Sequence, residues 1–287
     1  MLNDQLTLRD GRRLGVATFG APNGPPVIYC HGFPASRLEA ALADDAAKRV
    51  GARLIAFDRP GYGLSDFMVG RRISDWPADV MDAADKLGLD RFAVLGVSGG
   101  APYALACAAS NGERVTAVGI VGGLGPACPG NLASFNAFAR LSFALGRSAP
   151  ALSRAINRTL GMLIRGRPEL MMRLLAGTLP QCDRDVLKDP DVYAKLRAAL
   201  RDAFRQGGKA AAYEFVLYAQ YREIPDCRGL PVYVFHGECD TTVPVRAGRR
   251  MAAQLRGCRA AFYPNEGHYS LPLRHMDEIL GRLIDHR

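Results

Sequence analysis

The sequence predicts an α/β fold that is interrupted once by a helical insertion. Short apolar runs suited to buried strands alternate with helical segments up to about residue 125, and this alternation resumes near residue 227. Between the two parts, residues 126–226 are predicted to form successive helices separated by Gly and Pro. We therefore expect a core made of residues 1–125 and 227–287, and a helical cap made of residues 126–226.

Length and composition indicate a globular protein with a sizeable core. A chain of 287 residues buries enough apolar surface to fold without a partner. Neither a signal-peptide pattern nor an apolar stretch of about 18 residues is visible, so we expect a soluble, cytoplasmic protein without stable membrane insertion. The seven cysteines are scattered, odd in number and free of C-x-x-C pairs, which is typical of reduced thiols. We expect no metal and no cofactor, since neither a zinc site nor a nucleotide site is visible.

The net charge of the chain is +9, and most of it lies in the predicted cap, which contains 15 Lys and Arg residues and 9 Asp and Glu residues. Two interpretations remain open: a solubility charge on exposed helix faces, or a field that attracts anionic substrates. Nucleic-acid binding is disfavoured, because the basic residues are interleaved with apolar ones at helical spacing and no aromatic-rich basic motif appears.

The N-terminal elements are indicated by turn signals and apolar runs. Asp10-Gly11, between alternating apolar residues, predicts a hairpin of two antiparallel strands at residues 5–9 and 13–19. Further buried strands are predicted at residues 26–30 and 53–57, followed by loops at the sheet edge where open α/β sheets bind ligands. The Gly- and Pro-punctuated loop after residue 57 is assigned a scaffold role, with Asp58 and Arg59 anchoring it through a local ion pair and hydrogen bonds.

An apolar run from Phe92 ends in Gly-x-Ser-x-Gly and passes directly into an Ala-rich segment, which predicts a strand, a sharp turn and a helix. Such a turn holds Ser98 in a strained conformation, and only glycine fits at Gly96 and Gly100, where the backbone and the following helix come close. The amide of Gly99, at the helix N-terminus, can donate to a negative charge developing on a substrate oxygen. Because short patterns of this kind also occur by chance, the motif needs support from other stretches.

The remaining elements follow from the same signals. A β-branched run at residues 115–121 predicts one more strand before the insertion, and strands at 232–235 and 259–263 follow it. Most bulky apolar residues of the insertion are expected to pack on the sheet, and some to line an apolar pocket. Helices outside the turn at Ser98 are predicted at residues 36–49, 73–87, 132–145, 151–164, 168–178, 191–205, 209–221, 245–254 and 271–285.

Ser98, Asp240 and His268 occur in the order nucleophile, acid, histidine, each directly after a predicted strand of one sheet. All three can therefore lie close together at the edge formed by the carboxyl ends of the strands. A serine hydroxyl attacks a carbonyl only if a base takes its proton, and His268 is the candidate base. Asp240 would hold the imidazole in the required tautomer, while the amides of Phe33 and Gly99 would receive the oxyanion charge.

Two other residues compete for these roles. Glu238 is an alternative acid, but the Thr-Thr-Val-Pro stretch after Asp240 fits a loop that turns away into a helix, which favours Asp240. His31 directly follows a buried strand and precedes Gly, a position typical of a structural hydrogen-bonding residue rather than a catalytic base.

These motifs together resemble the α/β-hydrolase superfamily over essentially the whole chain. The matching stretches are His31-Gly32-Phe33-Pro34, Asp58-Arg59-Pro60-Gly61-Tyr62-Gly63, Gly96-Val97-Ser98-Gly99-Gly100, Gly237-x-x-Asp240 and Gly267-His268. The resemblance implies a central eight-stranded, mostly parallel sheet with a helical cap after the sixth strand. The first two stretches also resemble epoxide hydrolases and haloalkane dehalogenases, which attack with an aspartate where this chain has Ser98. Proline iminopeptidases and cofactor-free haloperoxidases typically carry Trp or Met where this chain has Gly99.

The first functional hypothesis is a serine hydrolase of the carboxylesterase type, acting on small-to-medium acyl esters through an acyl-enzyme. A second is a C–C bond hydrolase of anionic diketone-like acids, for which the positive charge of the cap would be useful. A third is a non-catalytic ligand-binding receptor, whose usual mark, a lost triad member, is not found here. The expected partner is a small-molecule ester, and the chain is expected to be a monomer or homodimer.

Overall fold

One eight-stranded sheet forms the centre of the fold. The strands are β1 (Asn3–Thr7), β2 (Arg13–Gly20), β3 (Pro26–Cys30), β4 (Arg53–Phe57), β5 (Phe92–Val97), β6 (Val115–Val121), β7 (Val232–Gly237) and β8 (Arg259–Tyr263). The structure is a computed structural model that describes residues 3–110, 113–227 and 229–285. β2 pairs antiparallel with both β1 and β4, and all other neighbouring pairs are parallel. The strands lie in the order β1-β2-β4-β3-β5-β6-β7-β8 across the sheet. The mostly parallel sheet implied by the sequence is confirmed.

Helices cover both faces of this sheet, which explains why its central strands are apolar on both sides. The helices outside the insertion are α1 (Asp44–Val50), α2 (Trp76–Lys86), α3 (Ala101–Ser110), α11 (Val245–Gln254) and α12 (Ser270–Ile284). Ile28 of β3 points into the cluster that contains residues of α2, α3 and α11. Its neighbours Val27 and Tyr29 point into the cluster that contains residues of α1 and α12.

Seven further helices lie between β6 and β7 in the described part of the chain. They are α4 (Pro129–Leu132), α5 (Ala137–Ser148), α6 (Pro150–Gly166), α7 (Pro168–Ala176), α8 (Gln181–Val186), α9 (Pro190–Ala203) and α10 (Lys209–Gln220). The division into a core and a separate cap at residues 126 and 226 stays a prediction. No helix of the described ranges has the length and apolarity needed to cross a bilayer.

The predicted helices differ from the structure in several places. The helix predicted over 132–145 is broken, because the Asn136 side chain accepts a 2.8 Å bond from the Ala139 amide and starts α5 anew. The helix predicted over 36–49 begins as a 3-10 helix at Arg37–Ala43 and becomes α-helical only in α1. α8 was not predicted, because a helix of six residues is too short to show a helical period.

Candidate active site

The turn after β5 has the tight geometry predicted for it. Ser98 is the only non-glycine residue with a positive φ (53°) in the described part of the chain. A Cβ on Gly100 would lie 2.0 Å from the Cys30 carbonyl oxygen, and one on Gly96 would lie 2.8 Å from the Cβ of Ala104. Neither space admits a side chain, so the two glycines allow β5, β3 and α3 to meet closely beneath Ser98.

Ser98, His268 and Asp240 form one chain of hydrogen bonds although they come from three different loops. The His268 Nε2 atom lies 3.0 Å from the Ser98 Oγ atom, and its Nδ1 atom lies 2.8 Å from Asp240 Oδ2. The other Asp240 oxygen, Oδ1, accepts 2.8 Å bonds from the amides of Thr242 and Val243. The carboxylate is therefore fixed at both oxygens, and the imidazole bridges it to the serine.

The electrostatics of the pair formed by His268 and Asp240 favour a charged state on both partners. Burial alone would raise the pKa of Asp240, but the charge of His268 and hydrogen bonds from His236 and His268 outweigh it and lower that pKa to about 2. Burial alone would lower the pKa of His268, but the charge and the hydrogen bond of Asp240 outweigh it and raise that pKa above 6.5. Asp240 is thus ionised at neutral pH and stabilises a proton arriving on His268.

The two competing residues do not join this chain of hydrogen bonds. Glu238 forms an ion pair with Arg249 at the surface. His31 is fully buried; its Nδ1 bonds to the Gly32 carbonyl at 2.9 Å, and its Nε2 accepts from the Arg59 amide at 3.3 Å. Burial and the nearby Arg59 charge lower the pKa of His31, so this ring is a neutral structural group, as expected.

Phe33 and Gly99, the predicted oxyanion donors, lie side by side. A Cβ on Gly99 would lie 2.7 Å from the Cβ of Phe33 and 2.8 Å from the hydroxyl of Tyr218. The Tyr218 hydroxyl donates a 2.7 Å bond to the Gly99 carbonyl, and the Gly32 amide donates a 2.6 Å bond to Glu39 Oε2. The lack of a side chain at Gly99 therefore lets the turn at Ser98 and the loop of Phe33 approach each other. The bond from the Gly32 amide to Glu39 holds the loop of Phe33 in place.

A cavity of about 700 Å³ opens in front of Ser98 and His268. Its walls come mainly from apolar side chains of α5, α6, α7, α9 and α12, such as Ile164, Met172 and Leu200. Glu39 contributes one carboxylate, whose pKa is raised by burial. No Lys or Arg is found among the described lining residues. A cavity of this size and composition suits a small-molecule site.

Sequence reasoning missed Glu214 of α10, which ties the insertion to the loop of Phe33. The Glu214 carboxylate accepts bonds from Arg59 (2.7 and 3.0 Å), Tyr62 (2.8 Å) and Tyr103 (2.7 Å). Arg59 in turn donates to the carbonyls of His31 and Gly32. Burial would raise the pKa of Glu214, but Arg59 and Arg71 outweigh it and hold that pKa far below its usual value.

The local ion pair predicted between Asp58 and Arg59 is wrong. The guanidinium of Arg59 pairs with Glu214 instead. Asp58 pairs with Arg37 at 2.6 Å, and Arg37 also contacts Asp202 of α9 at 2.7 Å. Local hydrogen bonds are present as predicted, since Asp58 Oδ2 accepts a 2.9 Å bond from the Leu64 amide and the Ser65 hydroxyl donates a 2.6 Å bond to the Asp58 carbonyl. The charged partners of Asp58 and Arg59, in contrast, lie 21 and 155 residues away in the sequence.

Glu214→Gln should lower the free energy of unfolding by about 3–5 kcal/mol, because it leaves the buried guanidinium groups of Arg59 and Arg71 without a countercharge. Urea unfolding followed by circular dichroism measures this change. Glu169→Gln is the matched control, since Glu169 forms an exposed pair with Arg197 and should cost less than about 1 kcal/mol. Equal losses in both variants would contradict the stabilising role of the buried network.

Asp183 of α8 is a second residue that sequence reasoning missed, and it is fully buried. Its carboxylate accepts bonds from the amides of His268 (2.9 Å), Tyr269 (2.9 Å) and Ser270 (2.8 Å). These amides are free donors at the start of α12, and a carboxylate there is stabilised by the helix N-terminus. Asp183 thus fixes the backbone that carries His268.

Metal-ligating side chains do not cluster in the described ranges: no group of three or more His, Cys, Asp or Glu residues there is placed to hold a metal ion. All seven cysteines are free thiols.

Comparison with known proteins places these observations in a family. A profile described as the alpha/beta hydrolase fold matches residues 25–274. Haloalkane dehalogenase 2 of Mycobacterium tuberculosis (strain ATCC 25618 / H37Rv) is 33% identical over 139 residues, which are 47% of this chain and 45% of that protein. The chain thus matches less than half the length of this curated relative.

Solved structures agree over nearly the full length. A bromoperoxidase from Bacillus anthracis superposes with a TM-score of 0.70 at 17% identity, covering 99% of this chain and 100% of the other. An esterase from Exiguobacterium antarcticum superposes with a TM-score of 0.67 at 18% identity, covering 99% and 98%. At such identities the likeness concerns the fold alone. The match of the family profile over most of the sequence shows that this chain belongs to the alpha/beta hydrolase fold family.

Proposed function

We propose that this protein is a serine hydrolase of the carboxylesterase type, cleaving uncharged esters of small-to-medium acyl chains through an acyl-enzyme. The observation that carries the proposal is the unbroken chain of hydrogen bonds from Ser98 through His268 to Asp240 at the wall of an apolar cavity. A nucleophile, a base and an orienting acid within hydrogen-bond reach are the combination that activates a serine hydroxyl.

In the first half of the reaction, Ser98 Oγ attacks the ester carbonyl carbon while its proton passes to His268 Nε2, 3.0 Å away. The carbonyl oxygen becomes an oxyanion, and the amides of Phe33 and Gly99 donate to it. Each such donor lowers the barrier by about 3 kcal/mol. His268 then gives the proton to the departing alkoxide, which leaves an acyl group on Ser98.

In the second half, His268 takes a proton from a water molecule, whose oxygen attacks the acyl carbon and forms a second oxyanion at the same two amides. Collapse of this intermediate returns the proton from His268 to Ser98 Oγ and releases the carboxylic acid. Throughout, Asp240 Oδ2 accepts the Nδ1–H bond of the imidazole, so that Nε2 always faces the serine.

The cavity favours an uncharged substrate over the anionic acids of the C–C hydrolase hypothesis. Its lining is apolar, the described lining residues include no Lys or Arg, and the Glu39 carboxylate would repel a substrate carboxylate. The positive charge of the insertion therefore has no counterpart inside the cavity. The receptor hypothesis gains no support, because Ser98, His268 and Asp240 are all present and linked by hydrogen bonds.

Rapid mixing of the protein with p-nitrophenyl esters, from acetate to laurate, tests this proposal. We expect a burst of about one p-nitrophenol per chain where deacylation is the slower step. Intact-mass and peptide analysis of quenched samples should then find the acyl group on the peptide that carries Ser98. A burst without acylation of that peptide, or an acyl group on another residue, would contradict the proposed chemistry.

A further inference from the structure

Helices α5, α6 and α7 carry an exposed apolar surface unlike the rest of the described chain. Ten large hydrophobic side chains are exposed among the described residues, and nine of these lie on these three helices. Four of the nine, Phe138, Leu141, Leu163 and Leu174, are at least 60% exposed. α6 packs against both α5 and α7, so the nine lie on neighbouring helices, and we call them together the α5–α7 surface. Clustered apolar exposure of this kind marks an interaction site.

The same three helices carry positive charge that nothing in the described chain neutralises. Residues 137–176 contain seven arginines and a single glutamate, Glu169, which pairs with Arg197 of α9. All seven arginines are exposed, and no carboxylate of the described residues forms an ion pair with any of them. Elsewhere on the surface arginines do pair, for example Arg13 with Asp66 and Arg49 with Asp277.

We propose that the α5–α7 surface docks on an anionic lipid surface, with the protein lying on the membrane rather than crossing it. Helices that lie at a lipid interface combine exposed apolar side chains with arginines or lysines that reach the anionic headgroups. A second copy of the chain is a poorer occupant, since a symmetric contact would bring two sets of unpaired arginines together. A nucleic acid would match the charge but leave the nine apolar side chains without a partner.

The position of the cavity adds a reason for such docking. Phe138 and Leu160 belong to the α5–α7 surface, and both also line the cavity in front of Ser98. The cavity therefore reaches the exterior at the face that would contact lipid. An apolar ester dissolved in the lipid would enter the cavity there without crossing water, a step that rests on the proposed function. The docking itself does not rest on the proposed function.

Flotation of the full-length protein with lipid vesicles tests the docking. One set of vesicles contains phosphatidylcholine alone, and the other contains phosphatidylcholine with phosphatidylglycerol. We expect binding to the anionic vesicles to exceed binding to the neutral ones by about tenfold or more, because each arginine near an anionic surface contributes about fivefold. Added salt should weaken the binding, since it screens exposed charges.

Two double variants locate the contact. Leu163→Ser with Leu174→Ser removes exposed apolar area, and Arg154→Gln with Arg158→Gln removes exposed charge; each should lower binding by about tenfold or more. Val69→Ser and Arg256→Gln are the matched controls, because both residues are exposed and lie outside the α5–α7 surface. Their binding should stay within about twofold of the unaltered protein.

Absence of binding to both vesicle types would overturn the proposal, and so would equal binding to neutral and anionic vesicles. Self-association in light scattering, abolished by the Leu163 and Leu174 substitutions and accompanied by no vesicle binding, would assign the surface to a second copy instead. Binding is measured without substrate, so a failed ester assay leaves this result untouched, and failed docking leaves the proposed hydrolase chemistry untouched.

Discussion

Ser98→Ala is expected to lower kcat for p-nitrophenyl esters by about 10⁶-fold, which is the typical cost of removing the nucleophile of a serine hydrolase. His268 Nε2 contacts the Ser98 hydroxyl at 3.0 Å, and alanine offers no atom that can attack the substrate. Alanine at this position has the same strained backbone as serine, so the fold should be retained. Steady-state kinetics, together with the melting temperature, measures both effects.

Ser110→Ala is the control for this substitution. Ser110 lies at the opposite end of α3 and is exposed, so its kcat should equal that of the unaltered protein. Residual binding of substrate by Ser98→Ala is expected, because the cavity and the two amides remain. If Ser98→Ala hydrolysed the esters as fast as the control, another group would have to be the nucleophile and the proposed mechanism would fail.

The sequence predicted the sheet and the meeting of Ser98, Asp240 and His268 for one physical reason. Ser98 directly follows β5, while Asp240 and His268 lie in the loops that follow β7 and β8. The carboxyl ends of these parallel strands share one edge of the sheet. Apolar runs mark these strands, and Gly-x-Ser-x-Gly marks the turn, so every step depends on a few neighbouring residues. The positions of the three residues at this edge of the sheet therefore follow from local sequence patterns alone.

The residues that hold the loops of the site in place could not be predicted in this way. Glu214 lies 155 residues from Arg59, and Asp183 lies 85 residues from His268. Their contacts depend on how the inserted helices pack on the loops, and the hydrophobic period of a single helix does not encode that packing. A carboxylate in a helix resembles an ordinary solvated residue in the sequence, whereas the structure buries both. The inserted helices thus hold two of the loops in position.

Asn136 is an intermediate case, because its signal was present in the sequence. An Asn directly before an Ala-Phe-Ala-Arg helical segment is a favoured N-cap. The break it causes before α5 was hidden by the apolar residues on both sides, which maintain a helical spacing across it. Capping residues therefore deserve as much weight as hydrophobic spacing when helices are placed within an insertion.

The acid of the triad gives the second large prediction: Asp240→Asn should lower kcat by about 10⁴-fold. Asp240 Oδ1 accepts bonds from two amides, so the oxygen of asparagine will take that position. Its NH₂ group then replaces Oδ2, 2.8 Å from His268 Nδ1. The asparagine NH₂ and an Nδ1–H cannot donate to each other. Nδ1 must therefore become the acceptor, and Nε2 must carry the proton. An Nε2–H cannot take a proton from Ser98.

Glu238→Gln is the matched control for this substitution, because Glu238 lies two residues away and pairs with the exposed Arg249. Its kcat should stay within about twofold of the unaltered protein. A loss in Glu238→Gln as large as that in Asp240→Asn would instead favour Glu238 as the acid that supports His268.

The pH profile provides an independent test of the same pair. His268 must be neutral to act as a base, and Asp240 raises its pKa above 6.5. In the unaltered protein, kcat/KM should therefore fall as the pH is lowered through this raised pKa. In Asp240→Asn the supporting charge is gone and burial still disfavours the imidazolium, so the pKa of His268 falls and the acidic limb moves to lower pH. An acidic limb that stays in place, or moves to higher pH, would show that Asp240 does not set the basicity of His268.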